Sequence, residues 1–191
     1  MDTLIPLLLR GAFYFVVGLV LAHLEIQIEG KHGWAEKLPT WRRKFGFMHR
    51  PVTGYLVCMN LFLLLLLHLP VVYAGFSLAL EAEVLTFFFL LAVFWDFQWF
   101  VWNPHYGLAG FRRGNVWWYP TWIGPFPADY YTGLGVAAAL YLAPAALGVG
   151  TWAGRAAAWG ALVGEFVVLT LVSMACARLA VARPAGEAEA A

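Results

Sequence analysis

The chain has 191 residues, of which 62% are hydrophobic, 17% aromatic and only 12% charged, with a net charge of +1. A soluble domain carries about 25% charged residues; half that share, together with ten Trp, leaves too much apolar surface for one small water-facing core, so lipid is the expected solvent. So small a net charge also excludes a nucleic-acid partner, because no face neutralises a phosphate backbone.

A bilayer core takes roughly 20 apolar residues per helix. The first such run covers about residues 4–28. No basic stretch precedes it and no small-x-small cleavage site follows it, which predicts a retained span rather than a cleaved signal peptide. Four more runs follow at about 53–73, 80–103, 130–149 and 156–182, the last two bordered or interrupted by Pro144, Gly148 and Gly150. The expected fold is all-α: a five-transmembrane-helix bundle forming one domain over 1–184, with a disordered acidic tail over 185–191. Cys58 and Cys176 lie within apolar runs and read as inert core residues rather than a disulfide.

Basic residues set the orientation. The loop after the first run holds Lys31, Lys37, Arg42, Arg43, Lys44 and Arg50; the loop after the third holds Arg112 and Arg113; Arg178 and Arg183 follow at the C-terminal end. Five helices place all of these on one side and only Arg10 and Arg155 on the other. The N-terminus is then outside and the C-terminus cytoplasmic, in a cell inner membrane. The short turn near residues 74–79 makes the second and third helices antiparallel neighbours. Ser77 is the expected cap of the third, with Glu81 and Glu83 favoured by its dipole.

The two cytoplasmic loops are rich in rings. Residues 33–51 include Trp34, Trp41, Phe45 and Phe47, and residues 104–127 include Trp117, Trp118, Tyr119, Trp122 and Phe126. Trp and Tyr favour headgroup depth, which predicts loops lying on the interface as aromatic lids, the plainer alternative being an aromatic belt.

Ionisable groups inside a membrane are costly and point to function. At about 100° per residue, Glu25, Glu29 and His32 share one helical stripe. Glu29-x-x-His32 has the spacing of di-metal carboxylate bundles. Glu25, Asn60 and Asp96 fall in one layer roughly 5–10 Å below the cytoplasmic surface. Glu29, His32, His49, Asn103, His105 and Asp129 form a second layer at the surface itself. Each has a structural alternative. Glu29 pairs with a loop cation, His32 and His49 are solvated, Asp129 serves a helix N-terminus, and Asp96 accepts from an indole or from Asn60. His23 and Gln27 face away from Glu25 as interhelical hydrogen-bonding groups. His68 lies toward the outer side, and Glu165 has no evident partner.

Carboxylates with imidazole suit iron, manganese or zinc. The expected ligands of a divalent metal are Glu25, Glu29, His32, Asp96, His105 and Asp129, oriented by Asn60, Asn103 and His49. Such a site would make the chain a membrane oxidoreductase or hydrolase acting on a lipid or isoprenoid-like apolar substrate. A second Glu-x-x-His, a His-rich box and His-Glu-x-x-His are all missing, which excludes a histidine-rich di-iron site and argues against a zincin-type protease. Two other readings stay open. One is a metal-free acid–base isomerase of a membrane-dissolved substrate, with Glu25 and Asp96 as its catalytic pair. The other is a non-catalytic accessory subunit, whose partner is a larger membrane complex or a second copy. The lack of an internal repeat argues against a transporter.

Overall fold

The computed structural model describes residues 4–46 and 48–181. Phe47, Ala182, Arg183 and the tail over 185–191 lie outside the described residues. The chain is mostly helical: α1 (Leu4–Glu29), α2 (Gly54–Leu67), α3 (Leu69–Ala74), α4 (Leu78–Trp102), the single turn α5 (Gly107–Gly110), α6 (Ala128–Ala146) and α7 (Trp152–Val181). Two short antiparallel pairs tie the loops, β1 (Arg42–Arg43) with β2 (Val52–Thr53) and β3 (Trp122–Ile123) with β4 (Phe126–Pro127).

Local chemistry explains where the helices start and stop. Thr53 caps α2 by accepting from the Leu56 N–H at 3.2 Å, and Ser77 caps α4 by accepting from Leu80 at 3.1 Å. The serine cap is the one the sequence predicts. Pro70 cannot donate within a continuous helix, so α2 and α3 meet at His68 with Pro70 in the first turn of α3.

Helix α4 is the hub. It packs against α1, α6 and α7, and these four helices form the body of the bundle. The rings of Phe87, Phe100 and Phe166 are fully buried there, with Tyr14 on Phe87 at 4.7 Å and Phe94 on Phe166 at 5.0 Å. Gly18 lets α1 come close to α4: a Cβ there would sit 3.1 Å from Leu91, the small-residue device of helices packed in lipid. Polar side chains fasten α4 to α7, where Ser173 donates to Gln98 at 2.7 Å and Trp102 donates to Ser173 at 2.8 Å. By contrast, α2 leans on α4 and makes no extensive contact with α1, α6 or α7.

Among the described residues four helices are long and apolar enough to cross a membrane: Leu4–Glu29, Gly54–Ala74, Leu78–Trp102 and Trp152–Ala180. The run expected as a further span is α6. It is helical over 19 residues, but Asp129, Tyr130, Tyr131 and Thr132 in its first turns, and the small residues that follow, dilute its apolar character. Around the bundle, apolar side chains such as Leu9, Phe62, Val72 and Leu179 are exposed, as a lipid-facing surface requires. Cys58 and Cys176 are free and exposed. That corrects their placement in the core, because an apolar run in lipid has an outward face as well as an inward one.

Both ring-rich loops lie at the end of the bundle where α1 and α4 terminate. Asn103, the residue that ends α4, donates to the Gly30 carbonyl at 2.7 Å. Trp34 donates to Pro51 at 2.8 Å. The rings divide: Trp118, Tyr119 and Trp122 are buried while Trp41 and Trp117 are exposed. The second loop is thus a folded cap whose rings join the core of the bundle, which a plain belt of interfacial rings is not.

A carboxylate cavity under the aromatic loops

Beneath this cap lies a cavity of about 390 Å³. Carboxyl groups from three helices line it: Glu25 and Glu29 of α1, Asp96 of α4 and Asp129 of α6. Glu25 and Glu29 are four apart, one above the other on a helix face, and both are buried. Glu25 lies near enough to Glu29 and Asp96 to feel their charge. The walls are aromatic, with Trp34, Trp95, Trp99, Trp118, Tyr119 and Tyr130 among them. Away from the loops the lining turns apolar, through Phe89, Ala92, Val93 and Val136.

Each acid has a different set of partners. The Tyr130 hydroxyl, from the first turn of α6, donates to Asp96, and Tyr119 of the second loop lies close enough to the same carboxyl to feel its charge. Burial first and the Asp96 charge second hold the Tyr119 phenol well above its ordinary value, so it stays a proton donor at any physiological pH. Glu29 accepts the Ala35 N–H from the first loop. Trp34 and Ala35 both take left-handed backbone, φ 59° and 52°, a conformation that costs a non-glycine residue roughly 1–2 kcal/mol. The Arg42 guanidinium gathers the carbonyls of Ala35 and Glu36 on the other side of that turn. Glu29 therefore latches a strained loop over the cavity as well as lining it.

Arg50 is the cation of the site. It pairs with Asp129 at 2.7 Å and donates to the Trp118 carbonyl at 2.6 Å. Its guanidinium also lies 4.0 Å from the Trp34 ring centre and 5.0 Å from that of Tyr119. One side chain thus joins the first loop, the second loop and the start of α6. From the sequence, Arg50 counts only toward orientation; the signal for more was its place just before Pro51, where the chain enters α2.

The expected six-residue metal set is not brought together. Helix α1 ends at Glu29 and Gly30 turns out of it with φ 60°, so the helical register that put His32 on the stripe does not reach it. His32 instead lies 3.5 Å from Glu36. His105 is exposed beyond the end of α4, and neither imidazole lines the cavity. Asp129 lines it but is engaged by Arg50. Among the described residues no three His, Cys, Asp or Glu side chains form a group that could hold a metal ion.

The expected orienting residues also differ. Asn60 lines the cavity, with its amide donating to Leu56 of its own helix at 2.8 Å. Asn103 is buried but fastens α4 to the first loop, and it accepts the His105 N–H at 2.9 Å. His49 is exposed. Of the remaining polar residues, His23 bonds Leu19 of its own helix and rests on Trp102. At the other end of the bundle His68 meets Glu81 at 3.2 Å and Arg10 meets Glu83 at 2.9 Å. Glu165 faces Gly11, and one of its oxygens has no partner.

Compared with known proteins, the chain matches no family model, no curated protein and no solved structure.

Proposed function

We propose that this chain is an integral membrane enzyme that carries out acid–base chemistry, without need of a metal, on an apolar substrate dissolved in the bilayer. The observation that carries the reading is the convergence of Glu25, Glu29 and Asp96, from two helices, on one cavity walled by rings. A carboxyl group that gives a proton to one carbon of an alkene, and a second that takes a proton from the carbon beyond, shifts a double bond with no oxidant or cofactor. Asp96 and Glu25 are the reacting pair in this scheme. Tyr130 and Tyr119 fix the Asp96 carboxyl, and the indole faces of Trp95 and Trp99 stabilise positive charge as it develops on carbon. In this reading α6 is the fifth span, the basic loops lie in the cytoplasm and the N-terminus lies outside, following the bias of Lys and Arg, in a cell inner membrane.

The test uses purified protein in nanodiscs made from total membrane lipid and transferred to D2O. Mass spectrometry of the extracted lipid should find deuterium on carbon. Asp96→Asn and Glu25→Gln should lower the rate by about 10²–10⁴-fold, with the thermal midpoint of Asp96→Asn close to that of the parent. An exchange rate unchanged in both variants overturns the reading. Stoichiometric iron, manganese or zinc that is lost in Glu29→Ala would replace it with metal-dependent oxidation or hydrolysis. Recovery only within a larger complex, with no exchange, would point to an accessory subunit.

A further inference from the structure

Away from the loops the lining of the cavity is apolar. Its lining runs from Asp129 to Val136 along α6 and from Asp96 to Phe89 along α4, about 10 Å of helix in each case. At the loop end sit all the charged groups; at the other end the lining is Phe89, Ala92, Val93 and Val136. Leu56 and Asn60 of α2 form the facing wall. Both α2 and α6 pack on α4, yet they do not pack extensively on each other. The gap between them therefore opens to lipid over the α4 surface. Val136, which lines the cavity, is 36% exposed on α6, and Val57 and Leu61, each one residue beyond the lining residues Leu56 and Asn60 of α2, are apolar and exposed at 42% and 51%.

We propose that the substrate is a single-chain lipid with a hydroxyl head, which enters sideways through the gap between α2 and α6 and leaves its tail in the bilayer. The inference rests on the reading of this cavity as the reacting site and adds the class of molecule it takes. The volume, about 390 Å³, lies at the low end of small-ligand sites, so it holds a head and the first part of a tail rather than a whole two-chain lipid. The head is argued from charge. Glu25, Glu29 and Asp96 line the cavity, while its one guanidinium is taken by Asp129. Among the described residues no other cation lines the cavity to offset a negatively charged head, and a group that donates a hydrogen bond meets Glu29, which takes no part in the proton transfer and keeps acceptor capacity beside the Ala35 N–H. Trp99 adds the complement: it lines the cavity and its indole N–H is buried and has no partner, which favours a head that also accepts. A hydroxyl does both, whereas an ammonium only donates and a carboxylate only accepts.

The experiment uses three 16-carbon ligands carrying a mid-chain diazirine: hexadecanol, hexadecylamine and hexadecanoate. Each is added to the whole protein in nanodiscs, irradiated, and mapped by mass spectrometry. Hexadecanol should label Val57, Leu61 and Val136 saturably, at least ten-fold above hexadecanoate and above hexadecylamine. Val136→Trp and Leu61→Trp, which fill the gap from either rim, should each lower that labelling several-fold. Val172→Trp, on the exposed face of α7, should leave it unchanged. Labelling spread evenly around the bundle, or unaffected by both rim variants, overturns access through the gap. Hexadecanoate or hexadecylamine labelling as strongly as hexadecanol overturns the hydroxyl head. No turnover is needed for any of these readings, so labelling in the gap without deuterium exchange would remove the reaction and keep the binding mode. Exchange without labelling in the gap would do the reverse.

Discussion

Helices α2 and α4 are nearly equal in hydropathy and opposite in fate. The mean hydropathy of the best stretch is 2.3 in the α2–α3 span and 2.0 in α4, yet 11% of the first is buried and 44% of the second. Apolarity alone does not decide which span becomes the core, because lipid tails are as apolar as Leu and nothing is gained by moving Leu from one to the other. What differs is shape and polarity. Helix α4 carries Phe87, Trp99, Phe100 and Trp102, whose rings pack against α1 and the second loop, and Gln98 and Thr86, whose hydrogen bonds reach α7 and α6. Helix α2 is half Leu, and its Asn60 spends its amide on its own backbone. One helix is held by side chains that fit specific neighbours. The other is left standing off, and the space it leaves is the cavity.

The sharpest way to break that contrast is to remove a ring from each helix. Phe100→Ala empties a fully buried site on α4 and should cost about 3–5 kcal/mol. Phe62→Ala on α2, 57% exposed, should cost less than about 0.5 kcal/mol. Unfolding of both variants in mixed detergent micelles measures the difference, and equal losses would mean that α2 is packed as tightly as α4. Arg50→Ala comes next. It strips Asp129 of its ion pair and Trp118 of its donor, with an expected cost of about 1–3 kcal/mol. Amide exchange should quicken in residues 30–53 and 103–127 while the middle of α4 stays protected. Arg50→Lys should restore only part of the protection, since an ammonium lacks the planar fork that reaches a carboxylate, a carbonyl and a ring at once.

How far the sequence reaches follows the same division. Within α1 and α4 helical spacing holds: Glu25 and Glu29 line one cavity, and Asp96 lines it from α4. Where a helix ends, periodicity fails. The helical stripe reaches His32 only if α1 runs three residues past Glu29, and Gly30 turns the chain away before it gets there. Asn103, expected in the surface layer as an orienting residue, ends α4 bonded to Gly30 instead. The loops were legible as aromatic but not as folded, because their order comes from long-range pairs such as Arg50 with Asp129 and Gly33 against the Trp118 ring. The weakness of α6 as a span follows from the polar and small residues of 128–135, all visible in the sequence.

A smaller effect tests the fastening of α4 itself. Ser173→Ala removes the acceptor of Trp102 and the donor to Gln98. Interhelical hydrogen bonds in membranes are worth about 0.6 kcal/mol on average and about 1.7 at most, so a loss within that range is expected in the same unfolding experiment. Gln98 keeps its contact with Thr170 at 3.4 Å, which limits the damage. A loss well above that range would mean that polar bonding, rather than ring packing, is what sets α4 apart from α2.

The smallest expected change in stability carries the most information about the cavity. Asn60 is the one polar side chain that α2 gives to the cavity, and its hydrogen bond is to Leu56, one turn back on the same helix. Asn60→Leu therefore removes no bond between helices and should shift the unfolding free energy by less than about 0.5 kcal/mol. If α2 is a wall of the site rather than a pillar of the fold, the same variant should still weaken hexadecanol labelling of Val57 and Val136, because the facing wall of the cavity has changed from amide to alkyl. A stability loss above 1 kcal/mol would put Asn60 among the residues that hold the bundle, and the contrast between the two helices would fail at that position.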